Sequence, residues 1–121
     1  LFSPSFNPNS ANEIFVGCDM SELFRSSNLG VSWLPVNFAQ MQGGSNSKVQ
    51  FNVVTPQLLY CINHRNDISS PSRSTDGGIT WSNLASDPTN GEAYSLYSDL
   101  YNPNNILKQR ASSSLFSSIE P

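Results

Sequence analysis

The densest polar cluster in this 121-residue sequence is His64-Arg65-Asn66-Asp67. His64 is the sole histidine. Zinc takes three or four nitrogen or sulfur ligands, so no metal is expected, and no cofactor either. His64 and Arg65 carry donors that recognise a carboxylate or sugar hydroxyls, and Asp67 adds an acceptor. The competing reading of this cluster is a solvated loop. A second polar stretch, Gln40-Met41-Gln42-Gly43-Gly44, offers the amides of Gln40 and Gln42 to a ligand, or serves only as a connection. Cys18 and Cys61 are too few for a disulfide framework, and two free thiols are expected.

Composition limits what can position these groups. Ser (22) and Asn (14) dominate, only 12% of residues are charged, the net charge is -3, and 11% are aromatic. No apolar run approaches the roughly 18 residues of a membrane span. The aromatic content is too high for a disordered chain. The six basic residues are scattered, whereas nucleic-acid binding needs a clustered basic patch. Neither a heptad nor a Gly-X-Y period appears, which excludes coiled coil and collagen. Low charge with many Ser, Asn, Gly and Pro suits an all-β chain rich in turns.

An internal repeat organises the chain. Arg25-Ser26-Ser27-Asn28-Leu29-Gly30-Val31-Ser32-Trp33 matches Arg73-Ser74-Thr75-Asp76-Gly77-Gly78-Ile79-Thr80-Trp81, 48 residues later. Phe6-Asn7-Pro8-Asn9 is echoed by Tyr101-Asn102-Pro103-Asn104, and Leu23-Phe24 by Leu115-Phe116. A period of this length fits propeller blades or helical solenoids. Val49, Phe51 and Val53 alternate with Gln50 and Asn52, which is the period of a strand. Strands are expected at 1–5, 14–18, 23–26 and 31–36, then 49–54, 58–63, 72–75 and 79–84, then 93–98, 106–110 and 115–118. The expected fold is therefore an all-β, β-propeller segment with four-stranded antiparallel blades, two complete and one partial. Blade 1 takes 1–36, a link 37–48, blade 2 49–85, and 86–121 hold a second link and the partial blade 3. Cys18 and Cys61 then fall in neighbouring sheets, about 10 Å apart and too far to bridge. The chain starts at Leu1 without an initiator Met and stops inside its third repeat, so it reads as a piece of a longer protein.

The pattern Ser-x-Asp-x-Gly-x-x-Trp resembles the Asp-box, or BNR repeat, of sialidases, sortilin-type receptors and xyloglucan-cleaving endoglucanases. Ser74, Asp76, Gly78 and Trp81 carry it, and Ser26, Asn28, Gly30 and Trp33 carry a second copy. The spacing has a local rationale: the short polar side chain accepts backbone N–H bonds, and Gly supplies positive φ at the hairpin corner. The Trp then opens the next strand and covers the turn. This is structural chemistry, since Asn28 keeps the turn but loses the charge. Arg25 and Arg73 precede the two boxes at equivalent positions and read as scaffold rather than as a sialidase arginine triad.

The phrase from Ile14 to Ser26 is similar to a blade opening of xyloglucan-hydrolase-like propellers, with Cys18 in place of a Thr and Ser21-Glu22 in place of a Gly pair. The resemblance implies that Asp19 matches a catalytic carboxylate. Inverting hydrolysis needs a second carboxyl group about 6.5–9.5 Å away, and none is evident here. The alternative is that Asp19 caps its turn; the repeat alignment sets Asn63 at its place in blade 2.

Antiparallel topology sorts the loops. Turns 1–2 and 3–4, including both boxes, lie on one face. The 2–3 loops at 19–22, 63–72 and 110–114 and the links 37–48 and 86–92 lie on the other, where binding chemistry on a rigid scaffold usually resides. Two functions follow. One is a non-catalytic binding or scaffold segment of a secreted, extracytoplasmic propeller that recognises glycan or protein on its loop face. The other is part of a xyloglucanase-like glycoside hydrolase. The expected partners are the remaining blades, from the parent protein or other chains, and a polysaccharide or protein ligand. No nucleic acid and no membrane span are expected.

Overall fold

Three antiparallel sheets follow one another along the chain in a computed structural model that describes residues 2–18, 22–44, 47–64, 68–85, 93–102, 105–110 and 115–119. The first contains β1 (Phe2–Phe6), β2 (Ile14–Cys18), β3 (Glu22–Ser26) and β4 (Leu34–Pro35), paired in chain order. The second repeats that order with β5 (Gln50–Phe51), β6 (Leu59–Asn63), β7 (Ser70–Ser74) and β8 (Ser82–Asn83). The third holds β9 (Ala93–Ser98), β10 (Asn105–Arg110) and β11 (Leu115–Ile119). This is the meander of propeller blades: an all-β segment of two four-stranded blades and part of a third, as the sequence repeat requires. Among the described residues, no helix is long and apolar enough to cross a membrane.

The blades stack through their faces. In β6, all five residues of Leu-Tyr-Cys-Ile-Asn are buried. Leu59 and Cys61 pack towards blade 1 with Phe15, Leu23, Val36, Met41, Val49, Phe51 and Trp81. Leu58, Tyr60 and Ile62 point the other way, with Leu84, Leu96 and Ile106. A strand covered on both faces needs a continuous apolar run, and side-chain alternation divides that run between two interfaces. Phe15 and Phe51 meet at 6.1 Å between ring centres with planes inclined by 50°. Each large side chain buried here contributes about 1.5–3 kcal/mol.

The outer strands are shorter than the sequence suggests: β4 and β8 have two residues each, against the expected 31–36 and 79–84. The turn before each takes the backbone donors. Ser26 Oγ accepts Gly30 N–H at 2.8 Å, and Asn28 Oδ1 accepts Ser32 N–H at 2.9 Å. Ser74 Oγ accepts Gly78 N–H at 2.8 Å, and Asp76 Oδ1 accepts Ile79 and Thr80 N–H at 3.1 and 2.9 Å. An N–H bonded to a side chain cannot join a ladder. For the same reason β5 stops at Phe51: Asn52 Oδ1 takes the N–H groups of Val54 and Thr55 at 2.9 and 2.7 Å.

Register corrects one sequence equivalence. Ser26 faces Ile14 and Cys18 faces Glu22, while Ser74 faces Leu59 and Asn63 faces Ser70. Asn63 therefore corresponds to Cys18, and the next residue, His64, takes the place assigned to Asp19. The connection between β2 and β3 spans residues 19–21, and that between β6 and β7 spans 64–69. The offset of 48 seen at the nonapeptide thus includes a three-residue insertion in the second loop. Cys18 on β2 and Cys61 on β6 are not joined by a disulfide.

Candidate functional site

The loop end of blades 1 and 2 is organised by Asn63. As the last residue of β6, it is held within hydrogen-bond reach of the incoming link. Its Oδ1 accepts Gln42 N–H at 3.0 Å, and its Nδ2 donates to Gln40 O at 2.8 Å and to Asn83 Oδ1 at 3.3 Å. His64 N–H then donates to Gln42 O at 2.8 Å. The link is thereby fastened to the start of the blade-2 loop, and Gln40, Gln42 and His64 are gathered at one end of the sheet pair. Asp19, Arg65 and Asp67 lie outside the described residues.

The side chains of this group do different things. Gln40 turns inward, and its Oε1 accepts Trp81 N–H at 3.0 Å. Gln42 Nε2 reaches Phe38 O at 3.5 Å, the long limit of a hydrogen bond. His64 Nδ1 and Ser69 Oγ are 2.9 Å apart, while His64 Nε2 is buried without a partner. The ring packs against Gly44, where a Cβ would stand 2.7 Å from Cδ2. Burial pushes the imidazole pKa below 6.5, so His64 is neutral at neutral pH. Among the described residues, no group of three His, Cys, Asp or Glu side chains could hold a metal ion.

At the opposite end lie the two nonapeptide turns, with Ser26, Asn28, Gly30 and Trp33 in blade 1 and Ser74, Asp76, Gly78 and Trp81 in blade 2. The Asp76 carboxylate is held down at about 2, chiefly by the Thr80 hydroxyl and then by the Thr80 N–H. Ser74 Oγ and Ile79 N–H also donate to it. A carboxylate so fully engaged caps a turn and carries no proton at neutral pH. Trp81 Nε1 donates to Gly78 O at 2.9 Å, and the ring is only 5% exposed. Trp33, its repeat equivalent, is 37% exposed, because blade 1 covers Trp81 and no described residue covers Trp33 to the same extent.

Two features escaped the sequence reading. Glu13 receives Arg25 Nε and Nη2 on Oε2 at 3.0 and 2.6 Å, and Asn7 Nδ2 on Oε1 at 2.9 Å. Arg25 is therefore held by a carboxylate of its own blade. The available signal was the residue one before β2, which is Glu13 in blade 1 and Leu58 in blade 2. The second feature is Asn52, fully buried. Its carbonyl accepts Asn9 Nδ2 at 2.9 Å from blade 1, and its own Nδ2 donates to Asp99 O at 2.9 Å in blade 3. Through its backbone carbonyl and its side-chain amide, this one residue ties three blades together. Nothing in a solitary Asn foretells four simultaneous partners.

No family model matches this sequence, and no curated protein does. Solved structures do match. A YCF48 structure from Cyanidioschyzon merolae superposes with a TM-score of 0.73 at 22% identity, over 98% of this chain and 36% of that one. YCF48 bound to a D1 peptide matches with a TM-score of 0.71 at 15% identity, over 98% and 37%. The GH74 enzyme of Niastella koreensis matches with a TM-score of 0.70 at 16% identity, over 98% and 21%. The chain thus spans about a third of the YCF48 proteins and a fifth of the GH74 enzyme. At these identities the likeness shows the fold, a β-propeller.

Proposed function

We propose that this chain is a binding and scaffold segment of an Asp-box β-propeller, acting on a protein or glycan ligand through its loop face. The observation that carries the reading is the Asn63 clamp. Two hydrogen bonds of the Asn63 amide, to Gln42 N–H and Gln40 O, and one from the His64 N–H fasten link to loop, and a third Asn63 bond holds Asn83 on β8. A surface fixed before the ligand arrives avoids the ordering cost of binding. A YCF48 structure holds a D1 peptide, which supports a protein ligand on this architecture. The turns of Ser74, Asp76, Gly78 and Trp81 and of Ser26, Asn28, Gly30 and Trp33 are Asp-box corners in this reading. Further blades, from the parent protein or another chain, would cover Trp33 as blade 1 covers Trp81. An extracytoplasmic location belongs to the same proposal.

The test is binding of the parent protein to arrays of peptides and of xyloglucan oligosaccharides. His64→Ala and Gln42→Ala are expected to lose binding, while Asn28→Ala, on the opposite face, keeps it. Equal binding by all three variants refutes a ligand site on the loop face. The likeness to GH74 enzymes favours a second reading, a glycoside hydrolase segment with Asp19 as one of two carboxylates. Polysaccharide hydrolysis that is unchanged in Asp19→Asn removes Asp19 from that role.

A further inference from the structure

The interface between blades 1 and 2 carries an ion pair that the fold does not require. At the equivalent position of blade 2 stands Leu58, 6% exposed and packed against Leu96 and Ile106. Blade 1 places Glu13 there, with its side chain only 11% exposed. Desolvating a carboxylate costs more than burying a leucine, and a buried ion pair is weak evidence for stability. What the pair does is fix Arg25. Two of its nitrogens, Nε and Nη2, bond Glu13, and Asn7 holds Glu13 from the other side. The Arg25 side chain nevertheless stays 37% exposed, and neither of its bonds to Glu13 uses Nη1.

Arg25 lines two adjoining clefts. One, of about 250 Å³, is polar and is shared with Glu13, Asn7, Gln57 and Asp76. The other, of about 340 Å³, has aliphatic walls from Leu34, Pro35, Val36 and Ile79. Leu34 and Ile79 are largely exposed, at 72% and 65%. Together the clefts form a groove between the edge of blade 1 and the nonapeptide turn of blade 2, with an oriented donor at its middle.

The charges identify the occupant. Glu13 neutralises Arg25, and the Asp76 carboxylate at the rim is ionised and engaged by its own turn. The groove therefore has a hydrogen-bond donor but no net positive charge, which disfavours phosphate or carboxylate ligands. A neutral carbonyl beside an aliphatic side chain satisfies both clefts at once. That combination repeats along an extended peptide. A sugar would offer hydroxyls to the donor, but the apolar walls are aliphatic, without an aromatic ring to stack on.

We propose that this groove binds an extended, uncharged peptide segment, with a backbone carbonyl on Arg25 Nη1 and an aliphatic side chain between Leu34 and Ile79. The site lies on the face opposite the Asn63 clamp and stands independently of it.

The test uses acetylated, amidated pentapeptides of Gly and Ser with a central Leu, titrated into the isotope-labelled full chain. Saturable NMR shifts are expected at residues 25, 34–37 and 76–80. The central Leu→Ser peptide should bind about tenfold more weakly. Arg25→Gln should also weaken binding about tenfold. Because that variant strands Glu13, Ile79→Asp serves as an independent check on an exposed position and should cost a similar factor. Shifts confined to other residues, equal binding by both variants, or preferential binding of cellopentaose in the same groove each overturn the proposal. Loss of the loop-face ligand in His64→Ala leaves these shifts unchanged, which separates the two sites.

Discussion

Replacing Gly78 with alanine tests the packing of blade 1 on blade 2. Gly78 has φ +97°, a conformation that costs an L-residue about 1–2 kcal/mol. A Cβ there would also stand 2.7 Å from Phe15 Cζ, 3.1 Å from Cε1 and 3.4 Å from Leu59 Cδ2. Phe15 is fully buried and cannot swing into solvent, so overpacking adds about 1–3 kcal/mol. The expected total is about 2–5 kcal/mol. Gly30 supplies the internal control. Its φ is +86°, but a Cβ would meet only Trp33, at an ordinary 3.4 Å. Gly30→Ala should therefore cost only the conformational part. Urea unfolding followed by tryptophan fluorescence measures both, and Phe15→Leu completes a double-mutant cycle. A shorter side chain at 15 should recover much of the steric cost, giving a coupling above 0.5 kcal/mol. If Gly78→Ala costs no more than Gly30→Ala, or its effect adds simply to that of Phe15→Leu, Phe15 does not pack on this turn.

Three further outcomes follow from individual side chains. The Asp76 pKa is lowered from 3.8 to about 2, so its contribution to stability is complete above pH 4 and lost as pH falls towards 2. Asp76→Asn should flatten that part of a denaturation series, and Asn28→Asp should steepen it; unchanged slopes contradict the capping role. The pKa of His64 is depressed below 6.5, so the folded state binds fewer protons than the unfolded chain, and stability declines as pH drops below 6.5. His64→Asn should remove that decline. Burial pushes the Cys61 thiol up to about 12, so a disulfide reagent should label it only when the blades open. Labelling of Cys61 faster than unfolding excludes its place between the sheets.

Turn chemistry was legible in the sequence because it is short-range. Ser74, Asp76 and Gly78 bond within their own nonapeptide, so their residue types and spacing suffice to announce the corner. The recurrence of that corner in Ser26, Asn28 and Gly30 set the blade period, whereas the burial of β6 on both faces emerges only from the packing of the sheets. The outer strands fall short of 31–36 and 79–84 because the turns have already claimed the backbone donors of Ser32, Ile79 and Thr80.

The candidate sites were legible only in part. Gln40, Gln42 and His64 could be assigned to one face from topology, but the clamp that joins them rests on Asn63, whose partners lie on another element 21 and 23 residues away. Asn52 likewise takes partners 43 and 47 residues away in sequence. The groove at Arg25 exists only where the edge of one blade meets the corner of the next. Local hydrogen bonding depends on neighbours in sequence, and residue order alone determined it. Which polar groups share a surface depends on how two sheets are stacked and offset, and only the tertiary structure decided that.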